Sequence, residues 1–142
     1  MNVLIIEDNK ADQRILQEAF RMVSLDVAVH FVQDGFEADR FLRREGAFKG
    51  VPRPRLILLD LNMPKKDGKE FLAEIKSNED LKTIPVIIFT SSTSEAEIDL
   101  CYRLGASGYV VKPTQFRETL DLIEAIYRFW IQKNVYVEEP SA

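Results

Sequence analysis

Arg55-Leu56-Ile57-Leu58-Leu59-Asp60-Leu61-Asn62-Met63-Pro64-Lys65-Lys66-Asp67-Gly68 is the stretch whose reading decides the fold. Leu56 to Leu59 form a short unbroken apolar run, which suits a central parallel strand buried on both faces. Asp60 follows where such a strand leaves the core. In an open α/β sheet the carboxyl ends of the strands face the binding crevice, so a carboxylate held there is placed to do chemistry. Pro64 turns the chain off the strand line, and Asp67-Gly68 supplies a turn before the next helix. A plainer reading has Asp60 only cap or terminate its strand, and this stretch alone does not separate the two.

The chain has 142 residues, 46% of them hydrophobic, which is enough for one well-filled core and too few for two ordinary domains. A formal charge of -4 argues against a general nucleic-acid or anionic-membrane surface, since both need a basic face. The local basic group Arg40, Arg43, Arg44, Lys49, Arg53 and Arg55 reads as a solvated helix end and loop. The N-terminus has no signal-peptide core, and no apolar run approaches the length of a bilayer span. Cys101 is the single cysteine, which excludes an intramolecular disulfide and fits a reducing cytoplasm. On an apolar helical face it reads as a small core residue.

Outward from the central stretch, strands and helices alternate. Val3 to Ile6 is an apolar run that ends in Glu7-Asp8-Asn9. From Lys10 the spacing becomes helical, with Ile15, Leu16, Ala19, Phe20 and Val23 on one face. A second strand is expected over Val27 to Val32, then a helix capped by Asp34 with Glu37, carrying Phe36, Phe41 and Leu42 and ending near Gly46. Ala47 to Pro54 is a loop into the central strand. A helix with Phe71, Leu72 and Ile75 as its stripe follows Gly68. Val86 to Phe89 forms the fourth strand and ends on Thr90-Ser91-Ser92-Thr93-Ser94. Ser94 and Glu97 have capping spacing for a helix to about Leu104. Tyr109 to Val111 makes the fifth strand and stops at Lys112-Pro113. A last helix is expected from near Thr114 to about Gln132. The pattern predicts an α/β fold, a doubly wound five-stranded parallel sheet with five helices. His30 falls on the second strand and reads as a strand-edge residue.

Strand ends in this reading carry complementary chemistry. The first delivers Glu7 and Asp8, the third Asp60, the fourth Thr90 and the fifth Lys112. Carboxylates crowded at one sheet edge repel each other and need a cation, and a hard oxygen set with few protein donors suits Mg²⁺. A divalent cation there makes phosphoryl transfer to a carboxylate the natural chemistry, with Asp60 as nucleophile. Lys112 and the Thr90 hydroxyl would then stabilise the transferring group. Taken singly, Glu7-Asp8 reads equally as a solvated loop, Thr90 as a cap and Lys112 as a surface cation.

Four pieces together are specific: Ile6-Glu7-Asp8-Asn9, Leu58-Leu59-Asp60-Leu61-Asn62-Met63-Pro64 with Asp67-Gly68, Ile88-Phe89-Thr90-Ser91, and Gly105-Ala106-Ser107-Gly108-Tyr109-Val110-Val111-Lys112-Pro113. Combined, they resemble the receiver domain of two-component response regulators over essentially the whole chain. The resemblance implies a flavodoxin-like strand order 2-1-3-4-5, a receiver domain over 1–132 and a short tail over 133–142. It implies that Asp60 accepts a phosphoryl group from a histidine kinase, so that the chain is a phosphoacceptor rather than a turnover enzyme. Asp8, Asp60 and the main-chain carbonyl of Asn62 would bind Mg²⁺, with Glu7 acting through water. Lys112 and Thr90 would hold the phosphoryl oxygens, and Tyr109 would move inward with Thr90. Asn62 and Ser92 match positions that tune the lifetime of the acyl phosphate. The Lys112-Pro113 bond resembles the family's cis peptide. Thr114 departs from the aromatic residue common after Lys-Pro, which bears on packing rather than chemistry.

Phe116, Leu120, Ile123, Tyr127 and Trp130 lie on one face of the last helix, and Leu122, Ile126 and Phe129 make a second stripe. A helix on a sheet needs only one, so Leu122, Ile126, Phe129 and Trp130 are expected to face a second copy of the chain as a homodimer. The alternative is a tail folded back over its own helix. The Phe129-Trp130 end resembles stand-alone regulators paired with phytochrome-type histidine kinases. Among rival readings, a haloacid-dehalogenase-type phosphatase needs an acid two residues past the nucleophile, where Asn62 stands. A flavodoxin-like carrier needs a phosphate cradle, and Glu7-Asp8 would repel the anion. A receiver-fold scaffold that is never phosphorylated would not need Asp60, Thr90 and Lys112 together.

Overall fold

A computed structural model describes residues 1–63 and 65–138, so Pro64 and the last four tail positions lie outside the described residues. Five parallel strands, β1 (Asn2–Ile6), β2 (Ala28–Val32), β3 (Leu56–Leu59), β4 (Val86–Thr90) and β5 (Gly108–Val111), run in the order β2-β1-β3-β4-β5. Five helices connect or follow them: α1 (Lys10–Val23), α2 (Gly35–Arg43), α3 (Gly68–Ser77), α4 (Glu95–Arg103) and α5 (Phe116–Ile126). The expected architecture is the observed one.

Register explains why the central runs read as continuous rather than alternating apolar sequence. All four residues of β3 and all five of β4 are buried, because helices cover both faces of the sheet. Leu4, Ile6, Ile57, Leu59 and Ile88 point to one side and pack with Phe41, Phe71, Leu72, Ile75 and Cys101. Val3, Ile5, Leu56, Leu58 and Ile87 point to the other and pack with Leu16, Phe20, Ile123, Ile126 and Ile131. β2 lies at an edge, where His30 rests its ring Nε2 3.2 Å from Asn2 Oδ1. No helix among the described residues is long and apolar enough to cross a membrane.

Helix boundaries follow their caps. Asn9 accepts from the Asp12 amide, Asp34 from Glu37 and Ser94 from Glu97, each satisfying a donor that the first helical turn leaves open. α2 stops at Arg43 rather than near Gly46, because Arg44 takes a left-handed conformation (φ 57°) and closes the last turn. A short 3-10 turn at Gly46–Phe48 then occupies part of the expected loop.

The last helix departs from expectation. It begins at Phe116 rather than Thr114, since Gln115 is still extended, and it widens into a π-helical segment over Tyr127–Lys133. Its buried line is Thr119, Ile123 and Ile126, with Ile131 after the widening. Ile126, expected at a dimer surface, is therefore a core residue, only 6% exposed, whereas Phe116, expected in the core, is 41% exposed. Ile15 of α1 is likewise exposed rather than buried.

Gly68 opens α3 directly under the residue after β3. A Cβ there would lie 2.7 Å from the Asp60 carbonyl oxygen and 2.8 Å from Leu61 Cα, both backbone atoms that cannot turn aside. Gly68→Ala is therefore expected to destabilise the fold by about 2 kcal/mol or more, read as a lower urea midpoint with an unchanged m-value. Wild-type stability in that variant would contradict the packing described.

Candidate functional site

The backbone ladder runs one residue past the strand ends and carries the site residues with it. Glu7 N–H donates to the Val32 carbonyl (2.9 Å), Asp60 N–H to the Ile6 carbonyl (3.1 Å) and Lys112 N–H to the Thr90 carbonyl (2.8 Å). Each functional side chain is thus fixed relative to the neighbouring strand before any side-chain contact forms. Glu7, Asp60 and Thr90 are buried, at 1%, 5% and 0% exposure, while Asp8 is open to solvent.

Glu7, Asp8 and Asp60 bring carboxylate oxygens within 4.8 Å of one another. Lys112 answers this charge. Its Nζ lies 2.6 Å from Glu7 Oε1, 2.9 Å from Asp12 Oδ2 and 3.0 Å from Asp60 Oδ2, so all three ammonium hydrogens have carboxylate acceptors. The second Asp60 oxygen, Oδ1, accepts from the Asn62 amide at 3.1 Å. One ammonium facing four carboxylates leaves an excess of negative charge. Two of the three clustered acids are buried, so the oxygen set fits a divalent cation that prefers hard donors.

Ionisation follows from these contacts. Burial pushes the Glu7 carboxyl up from 4.5 to about 7, Lys112 pulls against that shift, and the Asp60 charge adds to it. For Lys112, burial disfavours the ammonium, but hydrogen bonds to Glu7, Asp12 and Asp60 outweigh it and hold the group above the ordinary lysine range. At the end of β4, the strand next to the one that carries Asp60, the Thr90 hydroxyl is buried with no hydrogen-bond partner among the described residues. Such a group costs about 1–3 kcal/mol relative to a satisfied one. Tyr109 packs against the core beside it and donates its hydroxyl to the Ser92 carbonyl at 3.0 Å.

Glu7, Asp8, Asp60 and Lys112 therefore meet at one end of the sheet, and the Asn62 amide joins them; Thr90 ends the next strand, and Tyr109 meets Ser92 beyond it. Three features differ from the reading of the sequence. No described peptide bond is cis, so Lys112 reaches the carboxylates through a trans Lys112-Pro113 bond, its direction set by the main-chain bond to Thr90. Asp12 was not anticipated as a partner of Lys112. The available signal was its position one helical turn after Asp8, which puts a further acid on the end of α1 that faces the sheet edge. Lys66 was also unforeseen. It is 6% exposed and pairs with Asp39 (2.8 Å) and Glu74, tying the loop after Asp60 to α2 and α3.

The raised Glu7 value has a thermodynamic consequence in metal-free protein. Between pH 4.5 and 7 the folded state holds a proton that the unfolded chain releases, so this contribution is complete below pH 4.5 and is lost as pH rises through 7. Urea unfolding in chelator is expected to show stability falling over that interval by an amount on the order of 2 kcal/mol more in the parent than in Glu7→Gln. Equal pH slopes in the two proteins would contradict the burial argument.

Comparison with known proteins places this site in a family. Residues 3–124 match the response regulator receiver domain. Response regulator Rcp1 of Synechocystis is 42% identical over 130 residues, covering 92% of this chain and 88% of the relative. The crystal structure of the Mn²⁺-bound form of Rcp1 matches with a TM-score of 0.88 at 39% identity, over 96% of this chain and 99% of that one. The phosphorylated cyanobacterial phytochrome response regulator RcpA matches with a TM-score of 0.90 at 41% identity, over 96% and 98% of the two chains. A probable methanogenesis regulatory protein of Methanothrix harundinacea, FilR2, is 35% identical over 133 residues, 93% of this chain and 84% of its own. Receiver domains bind a divalent cation at an acidic pocket and accept a phosphoryl group. With that match over residues 3–124 and a five-stranded parallel sheet in the order β2-β1-β3-β4-β5, the chain belongs to the response regulator receiver domain family.

Proposed function

We propose that Asp60 is the phosphoacceptor, that its donor is a histidine kinase of the phytochrome type, and that the resident cation is Mg²⁺. The observation that carries this reading is the meeting of Asp60 Oδ2 with the Lys112 ammonium at 3.0 Å, one strand from a buried Thr90 hydroxyl that has no partner among the described residues. A carboxylate oxygen attacks phosphorus, an acyl phosphate bond forms, and the bond from phosphorus to the donor's imidazole nitrogen breaks as the imidazole takes up a proton from solvent, returning neutral histidine to the kinase. Asp8, Asp60 and the Asn62 carbonyl would hold the cation, with Glu7 acting through water. Mg²⁺ supplies charge neutralisation to the phosphoryl oxygens when it is bound. Lys112 neutralises a further oxygen, and Thr90 donates its hydroxyl to one.

Contact with a phosphoryl group favours a different arrangement of Thr90 from the one in which its hydroxyl is unpaired. Tyr109 is paired with Ile88 across β4 and β5, two residues before Thr90, and leaves the Ser92 carbonyl as the loop shifts. Differential contacts of this kind move an existing equilibrium and switch the Thr90/Tyr109 face for partner binding. Asn62 and Ser92, each two residues past Asp60 and Thr90, tune the lifetime of the acyl phosphate. The likeness to phytochrome-associated regulators supports the donor class, and the reduced, buried Cys101 fits a cytoplasmic setting.

A homodimer remains part of this reading, with Leu122, Phe129 and Trp130 as its surface. Phe129 is 54% exposed and stacks edge-on against Trp130, 5.0 Å between ring centroids, beside an open groove that Met22 also lines.

Incubation with acetyl phosphate and Mg²⁺ followed by intact mass is expected to give one phosphoryl adduct on the parent and none on Asp60→Asn. Retention of the adduct in Asp60→Asn sinks the assignment. Light scattering on the same samples is expected to give the mass of two chains, shifting to one in Phe129→Glu, and a monomer mass for the parent in both phosphorylation states removes the dimer.

A further inference from the structure

Both oxygens of Asp60 already accept hydrogen bonds, Oδ1 from the Asn62 amide and Oδ2 from Lys112. A lone pair committed to an ammonium is a poor nucleophile, so an attack through Oδ2 requires Lys112 to release it first. The ammonium then needs another acceptor, because a charged amine with 14% of its side chain exposed is costly to leave unpaired. Two other carboxylates touch it. Glu7 belongs to the three-acid cluster that fits the cation, and a bound cation draws on its charge. Asp12 is outside that cluster: its side chain is about one-third exposed, and among the described residues its carboxylate pairs with Lys112 alone.

Asp12 is also held rigidly. It sits in the first turn of α1, and its amide donates to the Asn9 cap at 3.0 Å, so the carboxylate is anchored to the helix rather than to the loop that carries Asp8. The distance from Lys112 Nζ, 2.9 Å, matches that of a full charge-assisted hydrogen bond.

We infer that Asp12 is a positioning residue for phosphoryl transfer: it keeps the Lys112 ammonium at the rim of the site while Asp60 Oδ2 is freed to react, from where the ammonium engages the transferred group. This inference rests on Asp60 as the phosphoacceptor. It does not concern the bond being made, since Asp12 is not one of the three clustered acids and its carboxylate is bonded to Lys112. Its effect passes wholly through Lys112.

Rate and metal affinity test it together. With acetyl phosphate as donor, Asp12→Asn is expected to slow phosphorylation roughly tenfold, because Lys112 loses one charged partner and falls back on Glu7 and Asp60. With Mg²⁺ saturating for each variant, so that weaker metal binding cannot slow the reaction, a simple field effect has the opposite sign: deleting an acid near an anionic donor lowers repulsion and accelerates the reaction. An Asp12→Asn protein that is unchanged or faster therefore overturns the proposal. Mn²⁺ titration of the unphosphorylated proteins supplies a readout independent of activity. Asp12→Asn is expected to weaken Mn²⁺ binding several-fold in the parent and to have little further effect in a Lys112→Met background, whereas a field effect weakens both equally. Equal weakening overturns the proposal as well. If Lys112→Met does not fold, the sign of the rate change in Asp12→Asn decides the matter alone. Loss of the adduct in Asp60→Asn with a normal rate in Asp12→Asn refutes this inference while leaving the phosphoacceptor assignment intact.

Discussion

The contact on which the rest of the molecule's function depends is the Lys112 ammonium set among carboxylates from remote parts of the chain. Glu7, Asp12 and Asp60 lie 105, 100 and 52 residues away in sequence, yet all are within 3.0 Å of one nitrogen. Acids packed this closely repel one another strongly in a poorly solvated site, and a single cation cannot balance them. The surplus charge makes the site receptive to a divalent ion, and in the proposed reaction the same ammonium makes an anionic phosphoryl group tolerable beside Asp60. Stability is given up here for chemistry. The raised Glu7 carboxyl and the unpaired Thr90 hydroxyl are two separate measures of that sacrifice.

The sheet makes this arrangement possible. Strand order β2-β1-β3-β4-β5 puts the ends of β1 and β3 side by side, and main-chain bonds from Glu7, Asp60 and Lys112 to the neighbouring strands carry the register into the loops. Side chains need only extend from fixed points. On the far side of Asp60, Gly68 lets α3 start against the Asp60 carbonyl, and buried Lys66 ties the intervening loop to Asp39 and Glu74. Asp60 is thereby held between a strand of the sheet and a pinned loop.

Much of this was legible in the residues themselves. Leu56 to Leu59 and Val86 to Phe89 have no polar interruption because both faces are covered, and the acids, hydroxyl and amine that follow such runs have nowhere to go but the sheet edge. Caps at Asp34 and Ser94 were readable from spacing for the same local reason. What failed was whatever depended on the rotation of one element against another. Ile126 and Phe116 exchanged expected places because two apolar stripes on α5 look alike until the sheet selects one, and the π-helical widening at Tyr127–Lys133 then shifts the phase again. Asp12 escaped notice because one acid in a helical turn is ordinary; only the arrival of Lys112 from β5 gives it a role. The trans bond before Pro113 is a local backbone choice that the motif resemblance did not settle.

Three carboxylates hold one amine and a fourth, Asp8, stands in the same cluster, so the chemistry must distinguish among four acids. Asp60 is the proposed acceptor because it alone is shared between the cation cluster, the ammonium and the neighbouring Thr90 strand. Borohydride reduction of the phosphorylated protein followed by peptide mapping reads this most directly, since an acyl phosphate is reduced to the alcohol at the residue that carried it. Homoserine at position 60, with Glu7, Asp8 and Asp12 unchanged, is the predicted result. Reduction at any of those three acids, or at none of the four, would contradict it.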